Sequence, residues 1–297
     1  MLPDLKSLQL FVAVADCGSI SEAARRTHLA LAAASKRISV LESRARTPLL
    51  ERHARGVRLT PAGESMLMHA RATLASLERL QSELGDFQQG VRGVVRVAAN
   101  ASAMSQQLPS QVGQFLRSHP GVQVRLTELG SSDTVRALRA GQADIGVFES
   151  GTSHTGIETR PYRQDRLAVV VPLGHPLTKK KRVSEADVFS HALVGLHEGT
   201  ALNQLLSRVA AQRSQALNIR VQVGSFDAMC RLIEQGMGIG ILPQESIGPQ
   251  RQVLKLRCLT LDASWAQRDH VLGFVHEPHL TAAARALLAG LAPALDP

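Results

Sequence analysis

One helical pattern within the first hundred residues constrains this chain more than any other feature. Met66, Ala70, Thr73, Leu77, Leu80, Leu84 and Phe87 are spaced alternately by four and three, a heptad seam sustained over three heptads. Thr60 is placed to cap this helix, Pro61 suits its first position, and Gln88-Gln89-Gly90 ends it. The short elements before it are too few to cover the whole seam. It therefore reads as a homodimerisation helix over 61–89, with those seven residues at the interface.

The block before the helix is helical throughout. Leu5, Leu8, Phe11, Val12 and Ala15 recur at helical spacing, and Cys17-Gly18 stops them. Ser19 and Glu22 have capping-box spacing and open a short helix over 22–26. After a tight turn comes Leu29–Glu42, LALAAASKRISVLE, with Ile38 and Leu41 facing inward. Three short helices with a tight turn between the second and third predict a helix-turn-helix. The segment 51–59 alternates basic with small or apolar residues around Gly56 and reads as a β-wing carrying Arg52, Arg55 and Arg58. Residues 1–60 hold ten basic side chains against five acidic ones, more than half of the chain's net charge of +9. A polyanion, nucleic acid, is the partner this favours.

From Val91 the pattern changes to alternating strands and helices. Strands are predicted at 94–98, 122–128, 144–148, 167–171, 193–196, 219–223 and 271–275, with helices at 106–118, 133–140, 202–212, 226–234 and 281–291. This is an α/β grammar with a largely parallel sheet, and its length suits two small lobes. No stretch has the apolar length of a membrane span. The N-terminus lacks a basic signal-peptide head and reads as mature structure. Cys17, Cys230 and Cys258 are few and far apart, as in a reducing compartment rather than in a disulfide framework or zinc site.

Several motifs are similar to those of LysR-type transcriptional regulators. LQLFVAVADCGSISEAARRTHLA, SKRISVLE and PLLERHARGVRLTPAGE resemble the family's N-terminal region. LRAGQADIGV at 138–147, HPL at 175–177 and GMGIGILP at 236–243 resemble its effector domain. The resemblance covers essentially the whole chain. It implies a winged helix-turn-helix over 1–60, a linker helix over 61–89 and a periplasmic-binding-protein-like effector domain over 91–297. Within that domain, lobe I would comprise 91–162 and 268–297, and lobe II 163–267. It implies promoter DNA, a homodimer or tetramer, a small-molecule co-inducer, RNA polymerase as a further partner, and a bacterial cytoplasmic setting. No metal, other cofactor, membrane partner or enzymatic activity is expected.

The third helix departs from the family pattern. Where relatives commonly carry Ser-Gln-Pro-Ala-Leu-Ser, this chain has Ala30-Leu31-Ala32-Ala33-Ala34-Ser35. The capping serine is lost, at a typical cost of ~1 kcal/mol, although alanine is the best helix former. The glutamine that can hydrogen-bond a base edge is Leu31. DNA reading is therefore expected from methyl contacts by Ala32 and Ala33, from Ser35, Lys36, Arg37 and Ser39, and from DNA shape. The wing arginines would hold phosphates or enter the minor groove. An alternative for Arg37 is a bridge to an acid within the helical block.

Ligands of two-lobe α/β domains sit at the C-terminal ends of strands. Asn100 and Ser102, Ser131 and Ser132, Thr200, and Ser225 and Asp227 fall at such places, with Phe148 and Phe226 as candidate walls. Backbone N–H groups beside these hydroxyls favour a small anionic metabolite, although each cluster alone also reads as a plain helix cap. Rival readings are weaker. Gly236-Met237-Gly238-Ile239-Gly240 lacks nucleotide-loop spacing, and Pro278 spoils His276-Glu277-Pro278-His279 as a helical metal site. A transport solute-binding protein would lack the basic N-terminal module. A low-specificity DNA binder with a vestigial ligand domain remains the main alternative.

Overall fold

In the computed structural model, residues 3–53, 56–89 and 91–292 are described; side chains at 78, 79, 81–89, 249, 251 and 252 are not. The chain divides into two compact units, one formed by the N-terminal residues through 90 and the other by most of residues 91–297.

The first unit is α1 Leu5–Cys17, α2 Ile20–Arg26, α3 Leu31–Ala45, the hairpin β1 Leu50–His53 and β2 Gly56–Leu59, and α4 Pro61–Gln89. Leu10, Phe11 and Val14 of α1, Ala23 and Ala24 of α2, and Ala34, Ile38 and Leu41 of α3 close one core. The i, i+4, i+7 spacing on α3 puts its three buried residues on a single face. Asp4 caps α1 by accepting from the Ser7 amide at 3.0 Å. Gly18 ends α1 in the left-handed region, φ 62°, where glycine has no Cβ penalty. Its carbonyl accepts from Val57 N at 2.9 Å, and a Cβ on Gly56 would stand 2.3 Å from that oxygen. That close approach seats the wing on the helices. Glu42 Oε1 fixes the other end, accepting from the amides of Leu49 and Leu50 at 3.0 and 3.1 Å. Thr60 caps α4 as expected, through Gly63 N at 3.0 Å.

Two local expectations change. Ser19 caps α2, but Glu22 pairs with Arg25 and no reciprocal bond completes a box. Nor is the heptad seam free along its whole length. Met66 packs on the N-terminal core and Ala70 is 1 % exposed, because α1 lies along the first turns of α4. Both are covered by their own chain. Thr73 and Leu80 are exposed, and Leu77 is half-buried. The side chains of Leu84 and Phe87 lie outside those described.

The second unit comprises β3 Gly93–Ala99, α5 Ala101–Ser105, α6 Leu108–Ser118, β4 Val122–Glu128, α7 Ser131–Arg139, β5 Ile145–Glu149, β6 Glu158–Pro172, β7 Arg182–Ser184, α8 Glu185–Phe189, β8 Leu193–Leu196, α9 Ala201–Gln212, β9 Ile219–Val223, α10 Phe226–Glu234, β10 Gly240–Pro243, α11 Gly248–Val253, β11 Leu256–Asp262, β12 Gln267–Phe274 and α12 Ala282–Leu291. The main sheet runs β4-β3-β5-β12-β6-β11-β7, with β10 also on β6. It is mixed, not largely parallel. β3 is parallel to β4 and β5, but β12 is antiparallel to β5 and β6, and β10 and β11 are antiparallel to β6. The parallel pair β8-β9 forms a separate small sheet.

The long strand β6 explains the two lobes. Its residues Glu158–Arg166 pair with β12, and its residues Leu167–Pro172 pair with β10 and β11. The handover falls between Arg166 and Leu167, inside one strand, rather than at 162/163. Around the second half, Val169, Val170 and Val171 are fully buried in a core shared with Leu193, Leu206, Met229 and Ile241. Each such burial stabilises by roughly 1.5–3 kcal/mol. Around the first half a smaller core gathers Ala98, Val135, Leu138, Phe148 and Ile157. The Lys179–Arg182 basic run passes from a short 3-10 turn into β7, and Lys180 pairs with Asp187 at 2.6 Å.

Candidate functional sites: a reading helix and a cavity over a buried ion pair

The outward face of α3 carries Leu31, Ala32, Ala33, Lys36 and Ser39, all exposed, with Ser35 half-buried beside them. Leu31 is 54 % exposed, an apolar side chain held in water at the first helical position. Ala30 occupies the cap position with extended backbone and no side-chain hydrogen bond. The turn into α3 is tight: His28 takes the left-handed region at φ 54°. Lys36 has no hydrogen bond or ion pair among the described residues.

Arg37 does not share that freedom. Its Nη1 donates to Asp4 Oδ1 at 3.1 Å and to Ser7 Oγ at 3.4 Å. It braces α3 on the start of α1, the bridge to an acid that was its alternative role. Hydrogen bonds from Ser7 and then the Arg37 charge hold the Asp4 carboxyl below its ordinary pKa, although burial opposes them. Of the two cations expected to read DNA from α3, Lys36 is thus the one left exposed and without a partner among the described residues.

The wing arginines are also not equivalent. Hairpin register sets Arg52 opposite Val57 and Arg58 opposite Glu51. Because side chains alternate along a strand, Arg52 and Arg58 point to opposite faces. Both are exposed. Arg55 lies outside the described residues.

In the second unit a cavity of about 320 Å³ opens between the ends of β3, β4 and β8. That size suits a small metabolite. Asn100, Ser102, Thr200 and Phe226 line it, together with Glu128, Asp133, His197, Glu198 and Arg268. Thr200 caps α9 through Asn203 N at 3.3 Å. The rims nearly touch: a Cβ on Gly130 would stand 3.0 Å from the Gly199 carbonyl oxygen.

Beneath the cavity lies an ion pair that the sequence reading did not find. Register places Arg268 directly opposite Asp165, next to the handover of β6. Arg268 is 4 % exposed. Its Nε donates to Asp165 Oδ1 at 2.9 Å, while Nη2 donates to Asp165 Oδ2 and to Ser102 Oγ at 2.9 Å. Nη1 has no partner among the described residues. Gln106 Nε2 donates to Asp165 Oδ2 at 3.2 Å. Asn100 Oδ1 accepts from Ala103 N, which turns its Nδ2 toward His270 Nδ1 at 3.3 Å. In a neutral ring that leaves the proton on Nε2, 3.1 Å from Asp165 Oδ2 though poorly aligned with it. Burial alone would raise the Asp165 carboxyl. The His270 ring and the Arg268 guanidinium outweigh burial and hold it below the ordinary aspartate value.

Other expected cleft residues stand elsewhere. Ser131 is buried and accepts from Glu149 N at 3.3 Å; Ser132 is exposed. Phe148 is wholly inside the lobe I core, tilted on the His154 ring at 5.9 Å. Ser225 caps α10 through Ala228 N at 3.2 Å, and Asp227 pairs with Arg231 at 2.9 Å. None of these five lines the cavity. They share the strand-end signal with the four that do, and a cap alone does not reveal which way a loop turns.

Two family models match the chain. Residues 5–64 match the bacterial regulatory helix-turn-helix protein of the lysR family, and residues 88–296 match the LysR substrate binding domain. The chain belongs to the LysR family. It is a DNA-binding transcriptional regulator with an effector-binding domain. A probable RuBisCO transcriptional regulator of Trichormus variabilis is 24 % identical over 295 residues, covering 97 % of this chain and 88 % of the relative. The structure of full-length CbnR complexed with its target DNA superposes with a TM-score of 0.67 at 23 % identity, covering 97 % of this chain and 98 % of that one. The CcmR regulatory domain of Synechocystis in complex with 2-PG gives 0.61 at 20 % identity, over 67 % of this chain and 96 % of that one. These last two likenesses are of fold.

Proposed function

We propose that this LysR-type regulator binds promoter DNA as a homo-oligomer and responds to a small molecule that presents an anionic group to Arg268 and Ser102. The observation that carries the reading is the cavity itself: a guanidinium fixed on one edge by Asp165, with Nη1 left to donate. A preorganised donor of this kind recognises carboxylate or phosphate oxygens without first having to order itself. The CcmR domain, whose structure contains 2-PG, shares the fold. Self-association would use α4 beyond Ala70, where Leu80 is 51 % exposed. Such a bacterial regulator works in the cytoplasm, with RNA polymerase as its eventual partner.

The DNA half is tested by selecting and sequencing genomic fragments bound by the full-length protein at near-physiological salt. An enriched inverted repeat is the expected result. Binding without enrichment that collapses as salt rises would favour the second reading, a low-specificity DNA binder. The uncapped Ala30 and the apolar Leu31 are the observations behind that alternative. The anion half is tested by isothermal titration of the full chain with carboxylates and phosphates. Binding only of compounds that carry no anionic group would overturn it.

A further inference from the structure

The cavity has a neutral floor and an acidic rim. Arg268 brings a positive charge to the floor, but Asp165 balances it in a two-point pair. At the rim Asp133 is matched by Arg136, one turn along α7. Glu128, the last residue of β4, and Glu198, in the loop between β8 and α9, also line the cavity. Neither has a cationic partner among the described residues. They come from opposite rims, Glu128 two residues before Gly130 and Glu198 immediately before Gly199, the two glycines whose loops approach.

A plain anion is poorly served by this arrangement. It would gain the Nη1 donor of Arg268 while bringing a further negative charge beside two unmatched carboxylates. A ligand with a cationic group at its other end satisfies both ends of the cavity, and the buried Phe226 lines it as well. Electrostatic complementarity of this kind sets which ligand is admitted more than how much area it buries.

We infer that the effector is dipolar: a small molecule with an anionic group at Arg268 and Ser102 and an ammonium or guanidinium at Glu128 and Glu198. The inference rests on the reading of this cavity as the effector site, and it narrows the ligand class from anions to amino-acid-like compounds.

The test uses the full chain and three matched sets of probes, read by thermal shift and isothermal titration. The first set is the twenty amino acids and the straight-chain ω-amino acids. The second is the same carbon skeletons without the amino group, and the third is the same skeletons without the carboxylate. At least one dipolar compound should bind, and at least tenfold more tightly than its deaminated and decarboxylated counterparts. The double variant Glu128→Gln, Glu198→Gln should erase the tenfold preference over the deaminated acid. Binding of a simple carboxylate as tightly as its dipolar counterpart, unchanged or tightened in the double variant, would overturn the dipolar inference and leave the anion site standing. If no compound of any set binds, the effector reading of the cavity falls and the inference with it.

Discussion

The reading helix α3 leaves Leu31, Ala32 and Ala33 in water, whereas the second unit buries Arg268, Asp165 and Asn100 beneath its cavity. The proposed function gives both regions a part in recognition, but they tolerate change differently. An exposed face carries little folding energy, so a cap and a base-reading glutamine can be absent while Ala34, Ile38 and Leu41 still hold the helix in place. A buried ion pair is different. Removing either partner leaves the other charged and desolvated, so the chemistry of the floor is bound to the stability of the lobes.

That contrast predicts a hierarchy of effects. Asp165→Ala should destabilise the second unit by about 3–5 kcal/mol, by stranding Arg268. Calorimetry of the full chain should show its transition lowered and that of the N-terminal unit unmoved. A loss below about 1 kcal/mol would mean that the floor is not buried as described. The pH dependence follows from the same group. Because its folded carboxyl is held below the ordinary value of 3.8, its contribution is present in full above that value and lost as pH falls through the lower folded one. Wild-type stability should therefore fall in acid below about pH 4 with a component that Asp165→Ala lacks.

The next effects lie on the DNA side and are read as binding, not folding. Lys36→Ala should cost about 1–3 kcal/mol on an operator and less on unrelated DNA, measured by titration at fixed salt. Equal losses on both would make Lys36 a phosphate contact. Of the two wing arginines described, which face opposite ways, one should lower the salt slope by about one unit on change to alanine and the other should not. Equal effects of Arg52→Ala and Arg58→Ala would mean that both faces of the hairpin reach DNA. The smallest effect is one of restoration. Ala30→Ser should stabilise the N-terminal unit by about 1 kcal/mol through the missing cap, seen as a raised thermal midpoint. No change would show that the helix end is already satisfied by water.

Much of this was legible in the sequence because it is local. Helical spacing located α1, α3 and α4, and the apolar runs marked β8, β9 and most of β3. The first half of β6 was missed because ETRPYRQDR alternates poorly and contains Pro161, which reads as a strand breaker. In the fold Pro161 stands beside the register shift between His270 and Val271, where a missing backbone donor is tolerated. The heptad seam misled at its start for a related reason. Periodicity shows which face of α4 is apolar but not what covers it, and for Met66 the covering belongs to the same chain.

By itself the sequence determined the basic helical head, the long helix, the α/β body and the family they compose, since each is written in spacing or in short motifs. Only the tertiary structure decided that Arg37 is spent on Asp4, that Arg52 and Arg58 face apart, and that four of nine expected cleft residues meet at one cavity. It also decided the floor of that cavity. Asp165 and Arg268 stand 103 residues apart in the chain and become neighbours through antiparallel register alone. A long-range charge pair leaves no periodic trace, because what selects it is the low dielectric of a place that exists only after folding.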